Sequence, residues 1–354
     1  MSIKSTQIAL VIEEKLGPFV LRDVPIYTPG QGEVLIKLHA SALNPADWMI
    51  QKSGLMITKY PAILGLDLAG EIVAVGEGVQ SLQRGDRVLT ISRFIENQFM
   101  GLQQYSLANE VTTAKIPDNI SYDQAATLPV CFSTAVTGFF ADFHMALHFP
   151  FLPLKRRESI QGNPLLSLLD LLQWGSLLLA IQLAKLLGFL PIIATASLRN
   201  TDYLKSIGTT NVLDRNLESA DFDKVVHEIT GGRPVEYTFT ALSIPQTETL
   251  ALAILPKDGM LISSSPNVSD ILKKADFKIA TALATPTVPW NKELFKTIFS
   301  EKLTSWLEKG DIKPNRVEVV KSGLAGVVKG LKKLEDNAVS GFKIVVRPLD
   351  TPPL

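Results

Sequence analysis

Between residues 191 and 265 the chain alternates short apolar runs with amphipathic ones, a pattern that few folds accommodate. Residues 191–197 (PIIATAS) are rich in small and β-branched side chains and read as a strand. Residues 200–208 (NTDYLKSIG) read as a short helix closed by glycine, and 211–214 (NVLD) as the next strand. A helix near 219–229 follows, then a strand in 234–241 (PVEYTFTA), a helix over 245–255 and a strand in 259–265 (GMLISSS). Strands separated by single helices cannot close as hairpins. Each connection must cross over, which sets the strands parallel in one sheet with helices on its faces.

The flanking segments read differently. In the first 125 residues, 32–43 (GEVLIKLHASAL) and 70–79 (GEIVAVGEGV) have strand spacing between glycines, and Gly85-Asp86-Arg87-Val88 is a turn that feeds another strand. The last third predicts a helix near 291–309, a strand VEVV, a helix over 323–335 and a closing strand GFKIVVRP. That last strand has no neighbour nearby in sequence, so it is expected to return to the N-terminal β-rich domain.

A chain of 354 residues with 46% apolar and 20% charged residues suits two globular domains. Lys+Arg and Asp+Glu balance at 35 each, which argues against nucleic acid or an anionic membrane as partner. Cys131 is the only cysteine, so an internal disulfide and a multi-cysteine zinc site are excluded. The N-terminus has no apolar run behind a basic start, and a cytoplasmic location is the expectation. The Leu- and Ile-rich stretch 164–194 resembles a membrane span. Yet Asp170 and Lys185 bracket only 14 residues without charge, short of the roughly 20 residues a spanning helix needs, and the stretch reads instead as a buried helix.

Several local patterns occur in one order along the chain. They are Asn44-Pro45-Ala46-Asp47, Gly65-Leu66-Asp67-Leu68-Ala69-Gly70 with Gly76, Gly85-Asp86-Arg87-Val88, Ala114-Lys115-Ile116-Pro117, the run from Ser121 to Pro129, and Ser340-Gly341-Phe342-Lys343-Ile344-Val345-Val346. Together they resemble the medium-chain dehydrogenase/reductase superfamily, and within it the zinc-independent enoyl reductase and quinone oxidoreductase types, fungal trans-acting enoyl reductases above all. The resemblance implies an α/β protein: a GroES-like β-rich catalytic domain over 1–125, completed by 290–354, and a Rossmann doubly wound parallel sheet over 126–289. It also implies a homo-oligomer or a polyketide-pathway partner. The glycines of these motifs are read as serving turns and positive φ, not chemistry.

Zinc-dependent relatives carry a cysteine and a Gly-His-Glu motif. Here Leu66 stands where that histidine would be and 44–47 holds no cysteine, so no catalytic zinc is expected. The histidines His39, His144, His148 and His227 are scattered. His144 and His148 share helical spacing, but Phe149-Pro150-Phe151 breaks the segment beyond them, which favours a structural or surface role.

A Rossmann domain binds pyrophosphate where a glycine-rich turn opens its first helix. The family has a Gly- and Ser-rich turn there, whereas this chain has Asp170-Leu171-Leu172-Gln173-Trp174-Gly175-Ser176. An aspartate and a tryptophan are poor neighbours for a pyrophosphate. One codon choice for 170–175, read from one base earlier, encodes Gly-Ser-Ser-Ser-Val-Gly, so the departure is read as a local frameshift restored before Ala180. NAD enzymes place an acid at the end of the second strand; this chain has Ser197-Leu198-Arg199-Asn200 instead, with Tyr203 and Arg215 as further candidates for the adenine and phosphate region. Gly175, Ser176 and these residues are therefore the cofactor candidates, and NADPH is the expected cofactor.

The implied reaction is hydride transfer to an activated C=C bond or a quinone. Thr134 matches the family position at the start of the helix facing the nicotinamide, and Asn44 and Asp47 match the catalytic-domain edge of that cleft. These three are the catalytic candidates. Phe132, Phe139, Phe149 and Trp290 are expected to line a pocket for a small hydrophobic substrate. The rival readings are a non-catalytic member serving as an interaction protein and, disfavoured by the missing ligands, an alcohol dehydrogenase.

Overall fold

The computed structural model describes residues 5–94, 96–140, 166–169, 175–241, 244–265, 269, 272, 276–282, 284–286, 288 and 291–354. The chain divides into two compact units. Unit 1 comprises Met1–Val130, Thr285–Gly310 and Pro314–Leu354, and unit 2 comprises Cys131–Ala284 and Asp311–Lys313.

Unit 1 opens with β1 (Thr6–Ile12), β2 (Phe19–Pro25), β3 (Glu33–Ala42), helix α1 (Pro45–Ser53), β4 (Ala62–Ile63), β5 (Asp67–Val75) and β6 (Arg87–Ile91). β7 (Tyr105–Asn109), β8 (Thr113–Lys115) and the short α2 (Tyr122–Ala125) follow, and the boundary between units falls within α3 (Pro129–Phe140). Strand alternation buries Val34, Ile36 and Leu38 of β3 against Leu68 and Ile72 of β5 and Val88 of β6. The strands approach so closely at Gly70 that a Cβ there would lie 2.1 Å from the Lys37 carbonyl oxygen. Gly76 faces the Gly30 carbonyl in the same way at 1.9 Å. Positive φ, the expected reason for the motif glycines, holds at Gly65 and Gly85; at Gly70 and Gly76 the requirement is space for a neighbouring backbone.

Unit 2 carries β9 (Leu166–Leu169), α4 (Gly175–Leu187), β10 (Ile192–Ala196), α5 (Thr201–Ile207), β11 (Asn211–Asp214) and α6 (Ser219–Thr230). It continues with β12 (Tyr237–Thr240), α7 (Pro245–Ile254), β13 (Met260–Ser263) and β14 (Lys278–Thr281). Every pairing in this sheet is parallel, in the order β11-β10-β9-β12-β13-β14. The chain leaves the central strand β9 toward one edge and returns to its other side at β12, which is the doubly wound arrangement with its switch point between β9 and β12.

The stretch read as one buried helix over 164–194 is therefore a strand, a helix and the start of another strand. A run of leucines without polar alternation is equally suited to a strand covered on both faces and to a buried helix. The helical part is α4, 13 residues long, with Leu177 to Ala184 buried. Among the described residues no helix is long and apolar enough to cross a membrane.

The chain then re-enters unit 1 with α8 (Lys292–Phe295), a π-helical stretch over Lys296–Lys302, α9 (Leu303–Lys309), β15 (Val317–Val319), α10 (Val327–Glu335) and β16 (Lys343–Val346). As expected of the closing strand, β16 pairs antiparallel with β3, placing Val345 opposite Ala42. It thereby joins a sheet ordered β15-β16-β3-β5-β6-β8, with β7 on β3. Ile344 and Val346 pack into a core with Leu43, Leu66, Met100 and Leu331.

Candidate functional site

The polar residues of unit 1 gather where α1 begins. Asn44 is extended (φ −123°) and Pro45 opens the helix, a position that tolerates the missing N–H. The Asn44 N–H donates to Asp47 Oδ2 at 2.8 Å, and the Gly65 N–H donates to Asp47 Oδ1 at 3.1 Å. Asp47 thus ties the first turn of α1 to the bend before β5. Gly65 makes that bend at φ +100°, with the Leu102 amide 2.7 Å from where a Cβ would stand. Asp47 is 1% exposed. Burial pushes its carboxyl up to about 7, against the two backbone donors that favour the charged form; the neighbouring Asp67 raises it further and Lys343 lowers it.

Asp67 and Lys343 were read from sequence only as markers of their motifs, and they complete this cluster. The fully buried Asp67 carboxylate accepts from the Val130 N–H on Oδ1 at 2.6 Å and from Asn44 Nδ2 on Oδ2 at 2.8 Å. The Lys343 ammonium forms an ion pair with Oδ2. Lys343 is itself 8% exposed. The signal available in sequence was a charged residue opening each of two otherwise largely apolar strands, β5 and β16. Buried charges of that kind are retained only with a partner.

These contacts bear on zinc, which the family's metal-dependent members bind through thiolate and imidazole. Both Nδ2 hydrogens of Asn44 are committed, one to Asp67 and one to the Ala42 carbonyl oxygen at 3.3 Å. Leu66 is buried with the apolar core and offers no lone pair. The Asp67 carboxylate already carries an ammonium counter-ion. Among the described residues no group of three or more His, Cys, Asp or Glu gathers to hold a metal. The described residues of this cluster do not fit a zinc ion.

In unit 2 the parallel sheet presents its carboxyl edge where nucleotide candidates are expected. Gly175 and Ser176 are the first two residues of α4, directly after β9 along the described chain; 170–174 lies outside the described residues. Ser197 follows β10, and Arg215 follows β11. The Arg215 N–H donates to the Ala196 carbonyl oxygen at 3.1 Å, so these two strand ends sit side by side. Leu198 and Arg199 are exposed, Asn200 is buried at the start of α5, and Tyr203 is half-buried within α5. The sequence candidates Ser197 to Tyr203 and Arg215 thus form one group, with no acid at the end of β10. Thr134 is buried and lies in the second turn of α3, which begins at Pro129, rather than at the helix start.

Other expected residues fall elsewhere. Phe139 and Phe132 are fully buried, and Phe139 packs against Phe189 and Phe239 at ring-centre distances of 5.7 and 6.1 Å, so it belongs to the core of unit 2 and not to an open lining. His39 stacks on Tyr122 at 4.3 Å. Burial, with help from Lys37, holds its pKa below the usual histidine value, while Glu71 opposes them. His227 is exposed on α6. His144, His148, Phe149 and Trp290 lie outside the described residues.

Comparison with known proteins agrees with this architecture. Residues 30–118 match the alcohol dehydrogenase GroES-like domain and residues 178–282 the zinc-binding dehydrogenase domain. The second match begins just past the anomalous segment 170–174. The chain is 30% identical over 356 residues to the trans-enoyl reductase resD of Aspergillus sclerotiorum, across 93% of this chain and 96% of that protein. It is 28% identical to the zinc-binding alcohol dehydrogenase domain-containing protein cipB of Emericella nidulans, across 96% of both. An alcohol dehydrogenase superfamily protein from Novosphingobium aromaticivorans superposes with a TM-score of 0.77 at 25% identity, covering 97% of this chain and 99% of that one. The doubly wound sheet, the motif residues gathered around Asp67 and the near full-length likeness to a trans-enoyl reductase lead to one conclusion: the chain belongs to the medium-chain dehydrogenase/reductase superfamily of oxidoreductases, with its enoyl reductase-like members.

Proposed function

We propose that this protein is an NADPH-dependent reductase that saturates an activated carbon–carbon double bond, or reduces a quinone, without zinc. The observation that carries the reading is the Lys343–Asp67–Asn44 cluster. In it the Asp67 carboxylate already carries an ammonium and the Asn44 amide, while Leu66, at the motif position of a metal-dependent relative's histidine, offers no lone pair, which supports a reaction without zinc. The trans-enoyl reductase name of resD supports the double-bond substrate class. NADPH, when bound, supplies the hydride. The chain's own part is to orient the acceptor and to exclude water from it. Ser197 and Arg199, in place of an acid after β10, suit a 2′-phosphate better than a free ribose hydroxyl pair. A small apolar acceptor is the proposed substrate.

A second reading rests on Asp170 and Trp174, which stand where a pyrophosphate turn is expected. In that reading the protein keeps the fold but binds no cofactor and acts through a partner. One comparison separates the two. NADPH consumption is followed with enones, quinones and enoyl thioesters, for the chain as written and for one carrying Gly-Ser-Ser-Ser-Val-Gly over 170–175. Turnover by either version supports the reductase. A folded protein that is inactive in both versions supports the second reading.

A further inference from the structure

His39 is the extra residue of a bulge in β3. Leu38 pairs with Gly70 and Ala40 with Ala69, so no residue of β5 stands opposite His39. A bulge turns a side chain out of the regular alternation. Here it sets the imidazole on the Tyr122 ring of α2, centre to centre at 4.3 Å and nearly parallel. The Arg87 guanidinium of β6 lies 4.8 Å from the same ring centre and donates to the Ile120 carbonyl oxygen at 2.6 Å. α2 is only four residues long, and a helix of that length has no stability of its own. It is held by its capping residues, by this stack, and by Arg347, whose Nε and Nη2 donate to the Asp123 carboxylate at 3.1 and 2.6 Å.

The stack suits a neutral imidazole. His39 Nε2 is buried and has no hydrogen-bond partner among the described residues. A proton there would create a donor without an acceptor, near the cations Lys37 and Arg87, with Glu71 opposing them. Beside the stack lies an open cleft of about 330 Å³ lined by His39, Tyr122, Asp123, Arg347 and Asp350. Arg347 spends its hydrogen bonds on Asp123, and the Asp350 carboxylate acts on it through charge alone. The cleft therefore holds a carboxylate within reach of an imidazole that turns off the Tyr122 ring.

We propose that His39 is a pH-sensitive latch on α2: neutral, it clamps Tyr122 against the β3 bulge; protonated, it leaves the stack for the cleft, where Asp350 receives it and α2 comes free. The latch uses no cofactor and stands independently of the reductase reading. The titratable and charged groups around it are Lys37 on β3, Glu71 on β5, Arg87 on β6, Tyr122 and Asp123 on α2, and Arg347 and Asp350 beyond β16. The sign follows from the depressed imidazole. The latched state has its full advantage above the ordinary histidine value of 6.5 and loses it as pH falls below that. α2 leads on to Val130, whose N–H donates to Asp67, so its release in acid also loosens the approach to the Asn44–Asp67–Lys343 cluster.

The test follows amide hydrogen exchange in unit 1 from about pH 7.5 to about pH 5.5, corrected for intrinsic rates. The reporters are Ala125 and Ala126, whose N–H groups donate to the Ser121 and Tyr122 carbonyl oxygens. A released imidazole at the ordinary value of 6.5 takes up a proton over that interval, which multiplies the open population about tenfold while the latched form stays neutral. Wild-type protection in α2 is therefore expected to fall about tenfold, while amides of β5 such as Ile72 hold within about twofold. His39→Phe keeps a ring on Tyr122 and cannot take a proton, and its α2 protection is expected to stay constant within about twofold. Asp350→Asn is expected to cut the fall to about threefold or less. Asp47 is present in all three proteins, so its own titration cancels in the comparison. A second measurement needs no variant: the His39 imidazole, identified by NMR through its proximity to the Tyr122 ring, is expected to titrate below 6.5. Wild-type protection that is flat, that falls equally in His39→Phe, or that falls alike across unit 1 overturns the latch. An imidazole titrating at or above 6.5 does the same. A fall unchanged by Asp350→Asn overturns the receiving role of Asp350.

Discussion

The ammonium of Lys343 lies against the carboxylate of Asp67, 276 residues earlier in the chain, with the two side chains 9% and 0% exposed. This contact joins the last strand of unit 1 to the motif strand β5. Through Asn44 and the Val130 N–H it also sets the starts of α1 and α3. A buried pair of this kind is costly to break from one side, because the remaining charge has no water to return to. Lys343→Met is expected to cost about 3–5 kcal/mol of folding stability. Adding Asp67→Asn removes the stranded charge and should recover part of that loss. Denaturation midpoints of the three proteins check the order wild type, double variant, single variant.

Asp47 predicts a pH dependence of unusual sign. Its folded pKa, about 7, lies above the ordinary aspartate value of 3.8, so the native state keeps a proton that the unfolded chain gives up. The stability contribution of this group is therefore fully present below about pH 4, declines as pH rises toward 7, and is constant above that. Asp47→Asn does not titrate, and it gives up one of the two backbone hydrogen bonds, a loss of about 1–2 kcal/mol. The variant should be less stable than wild type near pH 4, and as pH rises toward 7 the wild type should lose that advantage and fall below the variant. Unfolding free energies across that range would show a constant gap if Asp47 were an ordinary carboxylate.

Gly70 and Gly85 separate two reasons for a motif glycine. An alanine at Gly70 sets its Cβ 2.1 Å from the Lys37 carbonyl oxygen inside a core sheet, whereas at Gly85 nothing lies within 4 Å and only the positive φ of +90° resists. Gly70→Ala is expected to cost about 3 kcal/mol or more, and Gly85→Ala about 1 kcal/mol. Thermal melts of the two variants check the order.

The legible parts of the fold were those in which local pattern and final environment agree. β10, α5, β11, α6 and α7 were visible because each alternates or closes on a turn signal at its own period. β9 was not, since its leucines carry no period and the strand is defined by neighbours on both sides. Asn44 and Asp47 were legible through their motif, and the structure sets them in one cluster. Their electrostatic partners were not, because nothing local to residue 67 or residue 343 specifies the other; the pairing is created by β16 returning to β3. Phe139 shows the opposite failure, as an aromatic expected to line a pocket that packs instead into an aromatic core.

Cofactor preference should follow the group after β10. Replacing Ser197 and Arg199 together by Asp and Leu introduces an acid suited to ribose hydroxyls and removes a cation. The ratio of NADPH to NADH affinity is expected to fall by about tenfold or more. Equal losses for both cofactors would place these residues in the fold and not in recognition.

The activity we propose for this chain is reduction by NADPH without zinc. Its most direct measurement is NADPH oxidation coupled to saturation of an enone or enoyl thioester, by protein purified in a chelator and with its metal content determined on the same sample. NADPH consumption and formation of the saturated product are expected in equal amounts, at a rate that added zinc does not raise. Activity that appears only when zinc is restored at one ion per chain would contradict it.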